Sequence, residues 1–137
     1  MILTKTTEYA VRVLTYMASH NQILYSASFL HKELNIPYKY LTKLMTDLSK
    51  KGYLESIKGR DGGFKLIKSV KSIKLSNIIE TVEGMDSFNA CILGFHECSN
   101  KNPCAMHVVW EKNKKQFIET LENTSLYDLS HMEIKRF

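Results

Sequence analysis

The sequence predicts a mainly α-helical fold with one small β-hairpin and a long C-terminal helix. Apolar residues recur at helical spacing in several separate stretches, a single glycine-rich turn lies between two short extended runs, and a sustained amphipathic stretch follows Pro103. At 137 residues and 44% hydrophobic content the chain is within the usual size of one globular domain, which argues against a multidomain enzyme.

From Thr6 to about Ser19, the residues Tyr9, Ala10, Val13, Leu14, Tyr16 and Met17 share one face of a core helix. After the polar break His20-Asn21-Gln22, Ser26 or Ser28 can cap a short helix that buries Phe29, Leu30 and Leu34 and ends near Asn35. Pro37 suits the first position of a third helix, where its missing N–H removes a donor that would be unpaired anyway. Leu41, Leu44, Met45 and Leu48 form the buried stripe of that helix, leaving Tyr38, Lys39, Tyr40, Thr42, Lys43, Thr46 and Lys50 outside, and Gly52 is a good C′ residue.

Tyr53 to Ile57 and Phe64 to Ile67 are β-compatible and enclose Lys58-Gly59-Arg60-Asp61-Gly62-Gly63, so they form a hairpin with a basic tip. Ser72 to Glu83 reads as a helix carrying Leu75, Ile78, Ile79 and Val82 on one side, stopped by Gly84. Residues 85–103 keep no period and read as a loop. Beyond Pro103, the residues Met106, Val109, Trp110, Asn113, Phe117 and Leu121 mark the long helix, about Cys104 to Leu121.

Charge narrows the partner class. The chain carries 19 Lys+Arg against 14 Asp+Glu, and the first 70 residues hold 11 of the basic and only 5 of the acidic residues. A polyanion is the expected partner of that half. Two short helices, a third edged with Tyr and Lys, and a basic-tipped hairpin follow one another in the order of a winged helix-turn-helix. Any one of these elements alone reads as a solvated face or an ordinary turn; the ordered set favours DNA binding. Lys43, Thr42 and the hydroxyls of Tyr38 and Tyr40 are then candidates for base edges or phosphates in the major groove. Lys39, Lys50 and Lys51 suit phosphates, while Lys58 and Arg60 reach towards an adjacent minor groove from a turn that Gly59, Gly62 and Gly63 keep tight.

All three cysteines fall within 14 positions, Cys91-x6-Cys98-x5-Cys104, with His107 one helical turn beyond the last. Thiolates on one loop can converge on a soft metal, and an imidazole at that offset can point to the same place. An iron-sulfur cluster, a Cys₃His zinc site and metal-free reactive thiols all fit. His20, His31, His96 and His131 read as surface or packing residues, with His96, inside the cysteine loop, as a spare ligand candidate. Glu8 is accounted for by the dipole and solvent at the start of the first helix.

No apolar run approaches the roughly 20 residues that span a bilayer. The N-terminus Met1-Ile2-Leu3-Thr4 has no secretory pattern, and an odd number of cysteines without an export signal points to a reducing, cytoplasmic setting. A phosphate-binding glycine loop, a nucleophile elbow and paired catalytic acids are all missing, so an enzyme is not expected.

Several motifs together resemble the IscR/NsrR-type winged-helix transcription regulators of the Rrf2 superfamily. They are Leu3-Thr4 with Glu8-Tyr9-Ala10-Val11-Arg12, the segment from Ile36-Pro37 to Gly52, the wing Lys58-Gly59-x2-Gly62-Gly63-Phe64, the three-cysteine loop, and the closing Ser125-Leu126-Tyr127-Asp128-Leu129. The resemblance covers nearly the whole chain. It implies a homodimer joined through the long helix, with two reader helices facing a palindromic double-stranded operator. It also implies an iron-sulfur cluster on Cys91, Cys98 and Cys104. In the IscR-like branch His107 completes a [2Fe-2S] site, the preferred assignment; in the NsrR-like branch Glu8 of the partner subunit completes a [4Fe-4S] site. The expected units are a DNA-binding domain over 1–84, a cluster-binding loop over 85–103, and a dimerisation helix with closing segment over 104–137. The expected activity is regulation of transcription, by repression, with the cluster sensing iron, nitric oxide or redox state; the alternative is a structural zinc or a thiol switch on the same frame.

Overall fold

The computed structural model describes residues 3–20 and 22–131; Met1 and Ile2 of the N-terminal reading and the last six residues of the 104–137 unit lie outside the described residues. Three helices come first: α1 (Lys5–Ser19), α2 (Ala27–Leu34) and α3 (Tyr38–Lys50). A two-stranded antiparallel sheet follows, β1 (Leu54–Ile57) with β2 (Gly63–Leu66), paired from Leu54 with Leu66 to Ile57 with Gly63. Then come α4 (Leu75–Val82), the single turn α5 (Asp86–Asn89), α6 (His107–Asn123) and α7 (Leu126–Ser130). The mainly helical frame with one hairpin is as the sequence predicts.

Local chemistry sets the helix ends. The Thr4 hydroxyl accepts the Thr7 N–H at the start of α1, and the Ser26 hydroxyl accepts the Phe29 N–H at the start of α2. Asn35 closes α2 in the left-handed conformation (φ 53°), which Asn tolerates better than most residues. Pro37 stands at the cap of α3, one residue earlier than its expected position, and its carbonyl accepts the Leu41 N–H.

The main core unites α1, α2, α3, β1 and α7. Val13 and Leu14 pack with Leu30, Leu41, Met45, Leu54, Ile78 and Leu126. Tyr25, between α1 and α2, exchanges both backbone hydrogen bonds with Phe64, so the wing is fastened to the helical core. A Cβ at Gly63 would lie 2.8 Å from the Tyr25 carbonyl oxygen, and one at Gly62 would collide with the Ile57 carbonyl. Only glycine fits those two approaches.

The structure corrects three boundaries. The helix expected over Ser72 to Glu83 begins only at Leu75, because Ile73 and Lys74 pair with the C-terminal chain: the Leu126 N–H donates to the Ile73 carbonyl at 2.7 Å, and the Leu75 N–H to that of Thr124. The loop over 85–103 contains α5, anchored by Phe88 in a second small cluster with Ile79 and Leu121. The long helix starts at His107 rather than Cys104, and Val109 and Phe117 of its expected apolar stripe are exposed. Among the described residues, no helix is long and apolar enough to cross a membrane.

A carboxylate joins the two ends of the N-terminal region. Glu83, capping α4, accepts the Thr4 N–H (3.0 Å) and the hydroxyls of Thr4 and Thr7 (2.6 Å each) on one oxygen. Partial burial pushes its pKa up, but these donors outweigh that and hold it below the ordinary carboxylate value. We predict that Glu83→Gln costs about 1–2 kcal/mol in urea unfolding at neutral pH. A depressed folded-state pKa stabilises above the unfolded value and is lost as pH falls through the folded one, so the deficit should shrink in acid. A deficit independent of pH would exclude the charged acceptor as its source.

Candidate metal centre and nucleic-acid interface

Each cysteine is held by a different piece of local structure. Cys91 follows α5, and the carbonyl before it, that of Ala90, accepts the Trp110 indole N–H from α6 at 2.9 Å. Gly94 turns the chain with φ 82°, its N–H returning to the Cys91 carbonyl. Cys98 and Cys104 flank a compact turn in which Ser99 and Asn102 exchange backbone hydrogen bonds of 3.2 and 3.1 Å. The Cys104 carbonyl then accepts the N–H of His107, the first residue of α6.

This arrangement gathers the three sulfurs within 4.8 Å of one another, all half-buried and unbridged. The Cys91 and Cys104 sulfurs are 3.7 Å apart. A tetrahedral metal with sulfurs at about 2.3 Å has an edge of about 3.8 Å, so the pair is spaced for a shared ion. His107, only 8% exposed, places Nδ1 3.2 Å from the Cys98 sulfur. Its other nitrogen, Nε2, faces the Asn100 side-chain oxygen at 2.9 Å. The three thiols are a donor set that a soft metal or an iron-sulfur cluster takes, and the residues fit it; His107 adjoins the group at Cys98 and is not among the mutually gathered ligand atoms.

The remaining candidates lie apart from this group. Glu8 sits in the first turn of α1, paired with Lys5 at 3.2 Å, and within one chain it is not among the gathered ligands. His96 is exposed on the cysteine loop. His20 stacks on Tyr16, His31 contacts the Ile36 carbonyl, and His131 packs on Tyr127.

The thiols are electrostatically unequal. Partial desolvation raises Cys91, but the backbone N–H groups of Phe95 and Leu93 and the thiols of Cys104 and Cys98 outweigh it and lower its pKa to about 7. Cys98 is shifted the other way: the Cys104 backbone N–H lowers it, and desolvation with the neighbouring sulfurs overcomes that.

On the basic half, Tyr38, Lys39, Tyr40, Lys43 and Lys50 are exposed along α3, and Lys58 and Arg60 are exposed at the wing tip. Thr42 is half-buried, with its hydroxyl donating to the Lys39 carbonyl at 3.0 Å. Gly62 and Gly63 are accounted for by the packing against Ile57 and Tyr25. Sequence reasoning missed Asn100, the Trp110 contact to Ala90 and the Glu83 clamp. The Trp110 and Glu83 contacts join groups far apart in the chain, and the Asn100 contact is set by how its own loop folds; spacing gives no signal for any of them.

Residues 3–132 match the Rrf2 family, described as iron-dependent transcriptional regulators. A helix-turn-helix-type transcriptional regulator of Aquifex aeolicus is 36% identical, covering 98% of this chain and 95% of its own. The regulator NsrR of Halalkalibacterium halodurans is 32% identical over 94% of this chain and 90% of its own. Among solved structures, CymR, described as the global cysteine regulator of Bacillus subtilis, superposes with a TM-score of 0.77 at 23% identity, covering 95% of this chain and 96% of its own. IscR of T. potens superposes at 0.71 with 25% identity, covering 98% and 94%.

In the metal-free, reduced chain, iodoacetamide should label Cys91 ahead of Cys98, its rate rising through a pH of about 7. Peptide mass spectrometry across a pH series checks the order; labelling of Cys98 first would contradict the electrostatics.

Proposed function

The chain belongs to the Rrf2 family of transcriptional regulators, and on that premise we propose that an iron-sulfur cluster on Cys91, Cys98, Cys104 and His107 controls its hold on DNA. The family binds DNA and regulates transcription; this chain is a regulator, not an enzyme. The observation that carries the proposal is the gathering of three sulfurs within 4.8 Å on the segment joining α5 to α6. The family's iron dependence supports iron as the metal. In this reading residues 1–84 bind DNA, 85–103 hold the cluster, and 104–137 carry the dimerisation helix and closing segment. A [2Fe-2S] cluster is preferred to [4Fe-4S], because His107 lies beside the Cys98 sulfur in the same chain.

When bound, the cluster supplies a link among its ligands that iron limitation, oxidants and nitric oxide can break. The protein turns that link into geometry through what the ligands are tied to. Cys91 moves with α5, whose Phe88 packs on Ile79 of α4, and α4 packs on α1 in the helix-turn-helix core. Cys104 and His107 move with the first turn of α6. Joining both sides holds α6 against α4. Val108, Val109 and Phe117 are exposed on α6, which supports pairing of that helix with its twin in a homodimer. The angle of α6 then sets the separation of two α3 helices on a palindrome, about 34–36 Å or a multiple for half-sites in register.

A second reading, a thiol switch, is favoured by the 3.7 Å between the Cys91 and Cys104 sulfurs. An oxidant removing two electrons and two protons would close them into a disulfide with little movement.

An anaerobic absorption spectrum with iron and sulfide analysis separates the two. The proposal expects visible charge-transfer bands with matched iron and sulfide, both lost in Cys98→Ala; a colourless protein containing zinc favours a structural metal, and a metal-free protein that resists anaerobic reconstitution leaves the thiol switch. For DNA, Lys43→Ala should lose about 1–3 kcal/mol on the operator and relax its sequence preference, whereas Lys50→Ala should weaken all sequences alike and flatten the salt dependence. Equal losses on operator and random DNA for both variants would refute that division.

A further inference from the structure

We propose that Asn100 is a positioning residue that selects the tautomer of His107, so that Nδ1 and not Nε2 is the ligand presented to the sulfurs. The inference rests on the reading of this loop as a soft-metal site and adds to it which imidazole atom is offered and what holds it there. The two ring nitrogens of His107 have different neighbours: Asn100 Oδ1 at 2.9 Å from Nε2, and Cys98 Sγ at 3.2 Å from Nδ1. An amide oxygen only accepts, so the hydrogen of a neutral imidazole is kept on Nε2. The lone pair is left on Nδ1, directed at the Cys98 corner of the group.

Burial makes this choice consequential. His107 is 8% exposed, and its Nε2 meets the Asn100 amide, which lies on the exposed side of the turn, in a partly buried hydrogen bond. Asn100 is held for the task by the turn around it, where Ser99 and Asn102 exchange backbone hydrogen bonds and the Ser99 hydroxyl accepts the Asn102 N–H at 3.2 Å. Partners of this outer kind fix the orientation and tautomer of a ligating histidine, and their loss typically costs about 10–100-fold in metal affinity.

The test uses the full-length chain in two measurements. In the reduced, metal-free protein with ¹⁵N-labelled histidine, long-range proton–nitrogen correlation should show His107 protonated at Nε2 with a slowly exchanging N–H. Asn100→Ala should lose that slow exchange, and Asn100→Asp, which also offers an acceptor oxygen, should restore it. In parallel, cobalt(II) titration read by its visible thiolate bands should weaken about 10–100-fold in Asn100→Ala and recover in Asn100→Asp. A wild-type His107 protonated at Nδ1, or an alanine variant that keeps both the protected N–H and wild-type cobalt affinity, would overturn the inference. If the wild type takes up no cobalt, the metal reading fails by itself. The exchange comparison then decides the role of Asn100: a protected N–H that survives in Asn100→Ala overturns it, and one that is lost there and regained in Asn100→Asp supports it.

Discussion

Phe88 fixes the position from which the cysteine loop departs. Its side chain, 1% exposed, lies with Ile79 of α4 and Leu121 of α6 and stacks on Phe117 at 6.1 Å between ring centres. Full burial of such a side chain contributes about 1.5–3 kcal/mol, and a single helical turn has little else to hold it. α5 therefore exists as an element because Phe88 is buried. Two residues later Trp110 ties the Ala90 carbonyl to α6, and Cys91 comes next, facing Cys104. The sulfur geometry follows from that placement.

Stability is divided unequally between two cores. The larger one joins α1, α2, α3, the wing, one side of α4 and α7 around Val13, Leu14, Leu41, Ile78 and Leu126; the smaller one, at the junction of α4, α5 and α6, has Ile79, Phe88 and Leu121 as its buried members among the described residues. Regions with few buried apolar contacts open at lower cost than the main core. The backbone pairing of Ile73 with Leu126 attaches the far end of the C-terminal chain to the main core.

The basic face is organised more simply. The wing is not a free arm, because Tyr25 and Phe64 exchange backbone hydrogen bonds beneath it, and Gly63 permits that close approach. Lys58 and Arg60 are thereby carried on a turn with a fixed base. Charge on a rigid support loses less conformational entropy on meeting phosphate than charge on a mobile segment.

The sequence by itself determined what depends on near neighbours. Periodicity located α1, α2 and α3 with their buried faces, Ser26 and Asn35 marked the ends of α2, and Gly59 to Gly63 marked the wing, since helical repeat, capping and turn chemistry act over a few residues. The clustering of Cys91, Cys98 and Cys104 was legible for the same reason: one short loop carries them all, with His107 reaching Cys98 from its end. Only the tertiary structure decided what depends on distant ones. It shortened α4 by pairing Ile73 and Lys74 with residues some 50 positions away, created α5 through Phe88, and left Val109 and Phe117 of α6 exposed. It also brought Glu83 to Thr4, and within the cysteine loop its folding set Asn100 against His107. A hydrogen bond between side chains leaves no period in the sequence; it exists only once folding has brought the two groups together.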